Sequence, residues 1–201
     1  MLGLVIFLFS ALLGLAALVL AAVVAIRHQA YFPALIGTLG LIPLLAVAAT
    51  AVQGKQYPAI NDITTNLEAP LLFKHAQSLP ENAGRDLTFP PEFADTIASY
   101  YGDLEPLNLP LAPAAAYSRV LETARNKPFA WSITHESNAT FTIEAVAETR
   151  LFRWKDDIVI QVTQNADVGS VVNMRSKSRE GRSDLGANAR RIRAFFENLR
   201  D

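Results

Sequence analysis

The chain has 201 residues, a net charge of −1 and no cysteine. The missing cysteine excludes disulfides, thiolate metal sites and cysteine nucleophiles. Charge is unevenly spread: residues 1–53 hold one charged side chain, Arg27, and residues 54–201 carry 17 Lys and Arg against 19 Asp and Glu, a net −2. That balance lacks the basic excess of a general nucleic-acid binder.

Leu2–Ile26 is one long uncharged, largely apolar run. It exceeds the roughly 20 residues that cross a hydrocarbon core. It begins with no basic residue before it and outruns the apolar core of a secretory signal, about 7–15 residues. An uncleaved helix is therefore expected. Ser10, Gly14, Ala17, Ala21 and Ala25 recur at three- and four-residue spacing, a small-residue stripe that lets a second helix approach in lipid. Pro33–Val52, with Gly37 and Gly40, supplies a second span, which Pro43 kinks. The short link Arg27–Phe32 then makes residues 1–53 a transmembrane hairpin, with helices at about 2–26 and 33–52. Arg27 and His28 place the link in the cytoplasm by the positive-inside tendency. The C-terminal domain then faces outward, as a periplasmic domain on a bacterial inner membrane.

Residues 54–90 read as an extended strap. Pro70, Pro80 and Pro90 discourage helices, while Ile60, Ile63, Leu67, Leu71, Leu72 and Phe73 are too apolar for a free linker. Residues 91–201 read as the folded domain. A short helix is expected over Pro91–Tyr101 and a longer one over Ala112–Arg125, where Tyr117, Val120, Leu121 and Ala124 form one stripe. Period-2 alternation then predicts strands around Phe129–Thr134, Thr140–Ala145, Ile158–Val162 and Val171–Ser176, each with one buried and one wet face. A last helix runs from about Asp184 to Arg200, and Ser183 or Asp184 can cap it by accepting the free N–H groups of its first turn. The fold class is α+β, with the hairpin followed by a two-layer domain of about four antiparallel strands with flanking helices.

The densest polar segment links the last strand to the last helix. Arg175, Lys177, Arg179 and Arg182 crowd a helix N-terminus, where free N–H groups and the helix dipole favour anions. Gly181 and Gly186 permit close backbone approach. Arg175, Ser176, Ser178, Arg179, Gly181, Arg182, Ser183, Asp184, Gly186 and Asn188 are the candidate anion or partner site. The plainer alternative is that nearby acids neutralise these arginines and fix the loop. Asp156-Asp157 sit at a turn entering a strand, where two carboxylates can join a hard cation or pair with Arg175, Arg179 or Arg182. A dedicated cation site needs more oxygens than two, which favours ion pairing. His135-Glu136 lacks the second histidine of the helical zinc-protease pattern, and no phosphate-loop, dinucleotide or nucleophile-elbow motif is present. No catalytic residue, metal set or cofactor is assigned. Tyr100, Tyr101 and Trp154 are candidate interface aromatics.

Glu148–Asp157, which reads Glu-Thr-Arg-Leu-Phe-Arg-Trp-Lys-Asp-Asp, and the Met174–Ile192 segment together resemble the family catalogued as domain of unknown function 1499. Its pattern is a phenylalanine, a spacer and Asp-Asp, then Arg-Ser-x-Ser-Arg-x-Gly-x-Ser-Asp-x-Gly-x-Asn and a closing helix. Tyr57–Phe73 is similar to the lead-in of its membrane-anchored members, so the resemblance covers roughly residues 57–200. It implies an envelope or lumenal setting and no particular activity. Many members begin as lipoproteins; this chain has no cysteine and carries the apolar N-terminus instead. Three functional readings follow. The first is a non-enzymatic binding or accessory-subunit protein, with membrane lipid, a membrane-protein partner for the hairpin and a small anionic ligand as partners. The second is a carboxylate-dependent enzyme using Asp156, Asp157 and Asp184, cation-assisted or not. The third is a binder of anionic lipid headgroups.

Overall fold

The computed structural model describes residues 2–28, 56–150, 152–167 and 169–200, with positions 42, 45, 48, 49, 52 and 54 between them. The chain divides into two compact units, residues 1–57 with 150–153, and residues 58–149 with 154–201.

In the first unit, α1 spans Leu2–His28, 27 residues. At about 1.5 Å per residue it is roughly 40 Å long, longer than a hydrocarbon core of about 30 Å. It is the one helix among the described residues long and apolar enough to cross a membrane, and it suits a membrane anchor or a signal sequence. Its large side chains, Leu12, Leu20 and Ile26 among them, are exposed rather than packed in a core. Of the small-residue stripe, Gly14 is buried, Ala21 and Ala25 are half-buried, and Ser10 and Ala17 are exposed. The second span, Pro33–Val52, and most of the link before it lie outside the described residues apart from isolated helical positions. Among the described residues there is thus one candidate apolar helix, and the second helix of the expected hairpin falls outside them.

The second unit is the α+β domain. Its strands are β1 (Asp62–Thr64), β2 (Leu107–Leu109), β3 (Ser132–Ser137), β4 (Thr142–Glu148), β5 (Lys155–Asn165) and β6 (Gly169–Ser178). All pair antiparallel in the order β1-β6-β5-β4-β3, and β2 joins the same side of β6 as β1. Alternation in the sequence predicts the four longer strands. It does not reveal β1 and β2, because three residues are too few to show a period.

Helices α2 (Ala94–Tyr100), α3 (Pro113–Arg125) and α4 (Ala187–Arg200) accompany this sheet. Pro113 opens α3, where its missing N–H leaves no helical bond unmade. Ala116, Tyr117, Val120 and Ala124 of α3 and Ile192, Phe195, Phe196 and Leu199 of α4 are buried. They share one core with Ile143, Ile158, Ile160, Val172 and Met174 of the sheet. Phe129 and Trp131 were expected inside a strand but precede it. Ala130 takes φ +46°, and the amides of Ala130 and Trp131 donate back to Asn126 and Ala124 at the end of α3. The chain turns there, yet both rings still reach the core, with Trp131 stacked on Phe195 at 4.8 Å. Tyr101, a candidate interface aromatic, is buried in the same core, whereas Tyr100 is exposed.

The opposite sheet face is not simply wet. The strap crosses some of it, and Phe73, Ala76 and Leu87 pack with Val159 of β5. Glu144 of β4, which alternation assigns to solvent, is buried. Its Oε1 accepts the N–H groups of Lys74 and His75 at 2.9 and 2.8 Å, and its Oε2 that of Ala76 at 2.7 Å. One carboxylate thus pins three consecutive strap amides. There the strap adds an irregular third layer to the sheet and its helices.

At the β5–β6 hairpin, Gly169 has φ +98°, and an added Cβ would stand 2.8–3.0 Å from the backbone of Leu109 and Leu111. Backbone offers no rotamer to move aside. Gly169→Ala is expected to cost at least the strain of a disfavoured φ, about 1–3 kcal/mol, read as a lower melting temperature of the full chain in detergent.

Candidate functional site

Between β6 and α4, alternation decides where each polar residue goes. Successive side chains on a strand point to opposite faces. Arg175, Lys177 and Arg179 accordingly meet partners beside the strap, and Ser176 and Ser178 meet α4.

Arg175 is wholly buried. Its Nε and Nη2 donate to the two oxygens of Asp62 at 2.9 and 2.7 Å. Nη1 and Nη2 also donate to the carbonyls of Leu71 and Leu87 at 2.6 and 2.8 Å. The guanidinium lies over the rings of Phe73 and Phe89, 4.7 and 5.4 Å from their centroids. Burying such a charge costs several kcal/mol even after relaxation. A bidentate carboxylate, two carbonyls and two aromatic faces offset it. Lys177 adds a contact to Asp62 at 2.8 Å.

Next along the strand, Arg179 grips Asp157 through Nε and Nη2, the shortest contact being 2.6 Å. Asp157 is fully buried and also accepts from Arg85 at 3.0 Å and Asn82 at 3.2 Å. On the other face Ser176 donates to Asn188 Oδ1 at 2.7 Å, and Asn188 Nδ2 donates to Ser178 at 3.0 Å. Arg191 bridges Ser176, Asn188 and the carboxylate of Asp156. Asp156 and Asp157 therefore do not act as an acidic pair. They are adjacent in β5, Asp156 facing α4 with Arg191 and Asp157 facing the strap with Arg179 and Arg85.

The turn itself is sewn to residues 58–61. Asn61 donates to the Gly181 carbonyl at 2.6 Å, Ser183 to the Pro58 carbonyl at 3.3 Å, and the Asp184 amide to the Ile60 carbonyl at 3.1 Å. Gly181 and Gly186 both take positive φ, +82° and +75°. Asp184 caps α4, accepting the amides of Gly186 and Asn188 at 2.8 and 2.7 Å, as an acid before a helix does. Burial pushes its carboxyl above the ordinary range, although those two N–H groups pull the other way. Glu180, Gly181 and Arg182 are the stretch of the segment exposed to solvent.

The structure places these residues in three polar clusters: Arg175 with Asp62 and Lys177, Arg179 with Asp157 and Arg85, and Ser176, Ser178 and Asn188 with Arg191 and Asp156, Asp184 joining the last through the Asn188 amide. Four sets of residues are not foreseen from the sequence: Asp62 as the partner of Arg175, Asn82 and Arg85 as partners of Asp157, Arg191 as the bridge to Asp156, and, apart from these clusters, Glu144 as the strap's anchor. The signal for Asp62 lies in the lead-in segment, where it is the one acid in the extended run Tyr57–Leu67. Nothing in local sequence flags Asn82 or Arg85.

An antiparallel sheet backed by helices, crossed by a strap and locked by an arginine–aspartate network at its last turn defines the class of domain. The model of a protein family of unknown function, DUF1499, matches residues 62–199. The chain belongs to that family. No curated protein and no solved structure matches the chain.

Asp62→Ala leaves Arg175 and Lys177 without their carboxylate. Removing one partner of a buried pair costs about 3–5 kcal/mol, so the domain is expected to lose most of its thermal transition, measured by circular dichroism of the full chain. Asp184 gives the opposite sign. Its folded carboxyl holds a proton more readily than the unfolded one, so its contribution to stability declines as pH rises from the ordinary carboxylate value through the raised one. Melting temperatures taken across that window should show Asp184→Asn gaining on the wild type as pH rises.

Proposed function

We propose that this is a membrane-tethered, non-enzymatic binding or accessory protein of the cell envelope. In this reading the 175–188 segment is a rigid presentation surface: the buried arginines hold its shape, and Glu180, Gly181 and Arg182 meet the partner or anionic ligand. One observation carries the reading. Three buried carboxylates are paired with cations, Asp62 with Arg175, Asp157 with Arg179 and Arg85, and Asp156 with Arg191, and the carboxyl of Asp184 is taken up by two amides of its own turn. General acid–base work needs a carboxyl or base within reach of substrate and held in a useful protonation state. Here Asp156 and Asp157 are separated by the sheet, which argues against the enzymatic alternative.

The tether is α1. An outward, periplasmic domain additionally requires the apolar stretch 33–52 to return the chain across the bilayer, with Arg27 left in the cytoplasm.

One preparation tests both halves, because a chain without cysteine accepts a single reporter. With exposed Ser99 replaced, Ser99→Cys in native-level protein should react with a membrane-impermeant maleimide added to spheroplasts. After mild detergent extraction the particle should exceed the monomer and contain a stoichiometric membrane-protein partner. Arg182→Glu should release that partner without lowering the melting temperature. Labelling only after lysis would overturn the outward placement, and substrate turnover lost on Asp157→Asn would overturn the non-enzymatic reading.

A further inference from the structure

The sheet face that carries the strap is only partly covered. Beside the strap, over β3, β4 and β5, lies an open cleft of about 430 Å³. That volume falls in the range of small-molecule sites, about 300–1,000 Å³. Pro70, Leu71 and Leu72 give it apolar walls, Leu72 being 63% exposed, and Val159 lies buried beneath it. Its ionisable lining is Lys74, His135 and Glu144. Glu144 is already committed, both oxygens being held by three strap amides at 2.7–2.9 Å. Its charge serves the strap. The exposed Lys74 is then the formal charge left to meet a visitor, with Thr142 and Gln161 as neutral hydrogen-bonding groups on the lining.

We propose that this cleft binds a small amphiphile: one anionic head at Lys74 and an alkyl or acyl tail along Pro70, Leu71 and Leu72. Apolar walls with a single cationic end match that chemistry. Strand addition of a peptide along β3 fits less well. The β3–β4 pairing shifts register between Ile133 and His135, and such an irregularity bends an edge away from regular pairing. The cleft is distinct from the 175–188 segment and does not depend on what that segment recognises. The amphiphile can be a free carboxylate or a lipid of the bilayer that holds α1, since both offer an anionic head on a hydrocarbon chain.

The test is calorimetric titration of sodium dodecanoate into the full chain in phosphatidylcholine nanodiscs, with empty nanodiscs subtracted. Saturable binding near one per chain is expected. Dodecanol should bind at least about tenfold more weakly and inorganic phosphate not at all, because head and tail are both required. Lys74→Glu should weaken dodecanoate about tenfold or more, and Gln161→Trp should remove it by filling the cleft. Lys74 is exposed, so its variant keeps the test valid even if Gln161→Trp lowers the melting temperature. Adding phosphatidylglycerol to the nanodiscs separates the sources: weakened dodecanoate binding identifies a bilayer lipid as a competing occupant, and unchanged binding identifies a free amphiphile. Dodecanoate binding that survives Lys74→Glu unchanged, or that dodecanol equals, overturns the proposal.

Discussion

Arg175 and Asp62 meet with both side chains fully out of water, and much of the domain is arranged around that contact. A buried guanidinium is tolerated only if its donors are met, and here they are met by three separate stretches of chain. Asp62 comes from β1, Leu71 from the first half of the strap, and Leu87 from its second half. The strand that bears Arg175 is also the strand that β1, β2 and β5 pair with. One side chain therefore ties the sheet's far edge, its centre and its irregular cover together. Such a pair confers specificity of arrangement more surely than net stability, since its Coulomb gain goes largely to offsetting desolvation.

On β4, with β5 between it and Arg175, Glu144 is the matching anchor. A carboxylate that accepts three consecutive amides acts as a ready-made cap for an irregular segment, whose N–H groups would otherwise be buried without partners. Asp157 is a third fixture, joining Arg85 and Asn82 of the strap to Arg179 of the last turn. Strap and sheet are thus held by polar contacts at their edges and by the small apolar cluster of Phe73, Ala76, Leu87 and Val159 between them. The cleft opens between strap residues 70–74 and the β3, β4 and β5 side chains beside them.

On the helix-facing side the same logic shapes the β6–α4 turn. Asn188 uses its carbonyl oxygen for Ser176 and Arg191 and its amide for Ser178 and Asn61. A side chain with both ends engaged fixes the first turn of α4 against β6. Asp184 satisfies two amides of that turn while its carboxyl stays largely out of water. The Arg-Ser-x-Ser-Arg pattern is then intelligible as alternation: arginines to one face, serines to the other, each matched by a different layer.

By itself the sequence determined the periodic features: the apolar N-terminal helix, the stripe of α3, the apolar face of α4 and the four longer strands. It also narrowed the cap of the last helix to Ser183 or Asp184, because capping is a local matter of one residue and the amides after it. Periodicity and capping are short-range, so they are written in neighbouring residues. The tertiary structure alone decided which acid serves which arginine. Asp62 and Arg175 are 113 positions apart and Arg85 and Asp157 are 72 apart, and no local pattern encodes such a pairing. It also decided that Glu144 and Val159 are covered, since alternation marks two faces but leaves unsaid what lies over each. Asp156 and Asp157, adjacent in the chain, were parted for the simplest reason: a strand sends neighbours to opposite sides, and the sheet stands between them.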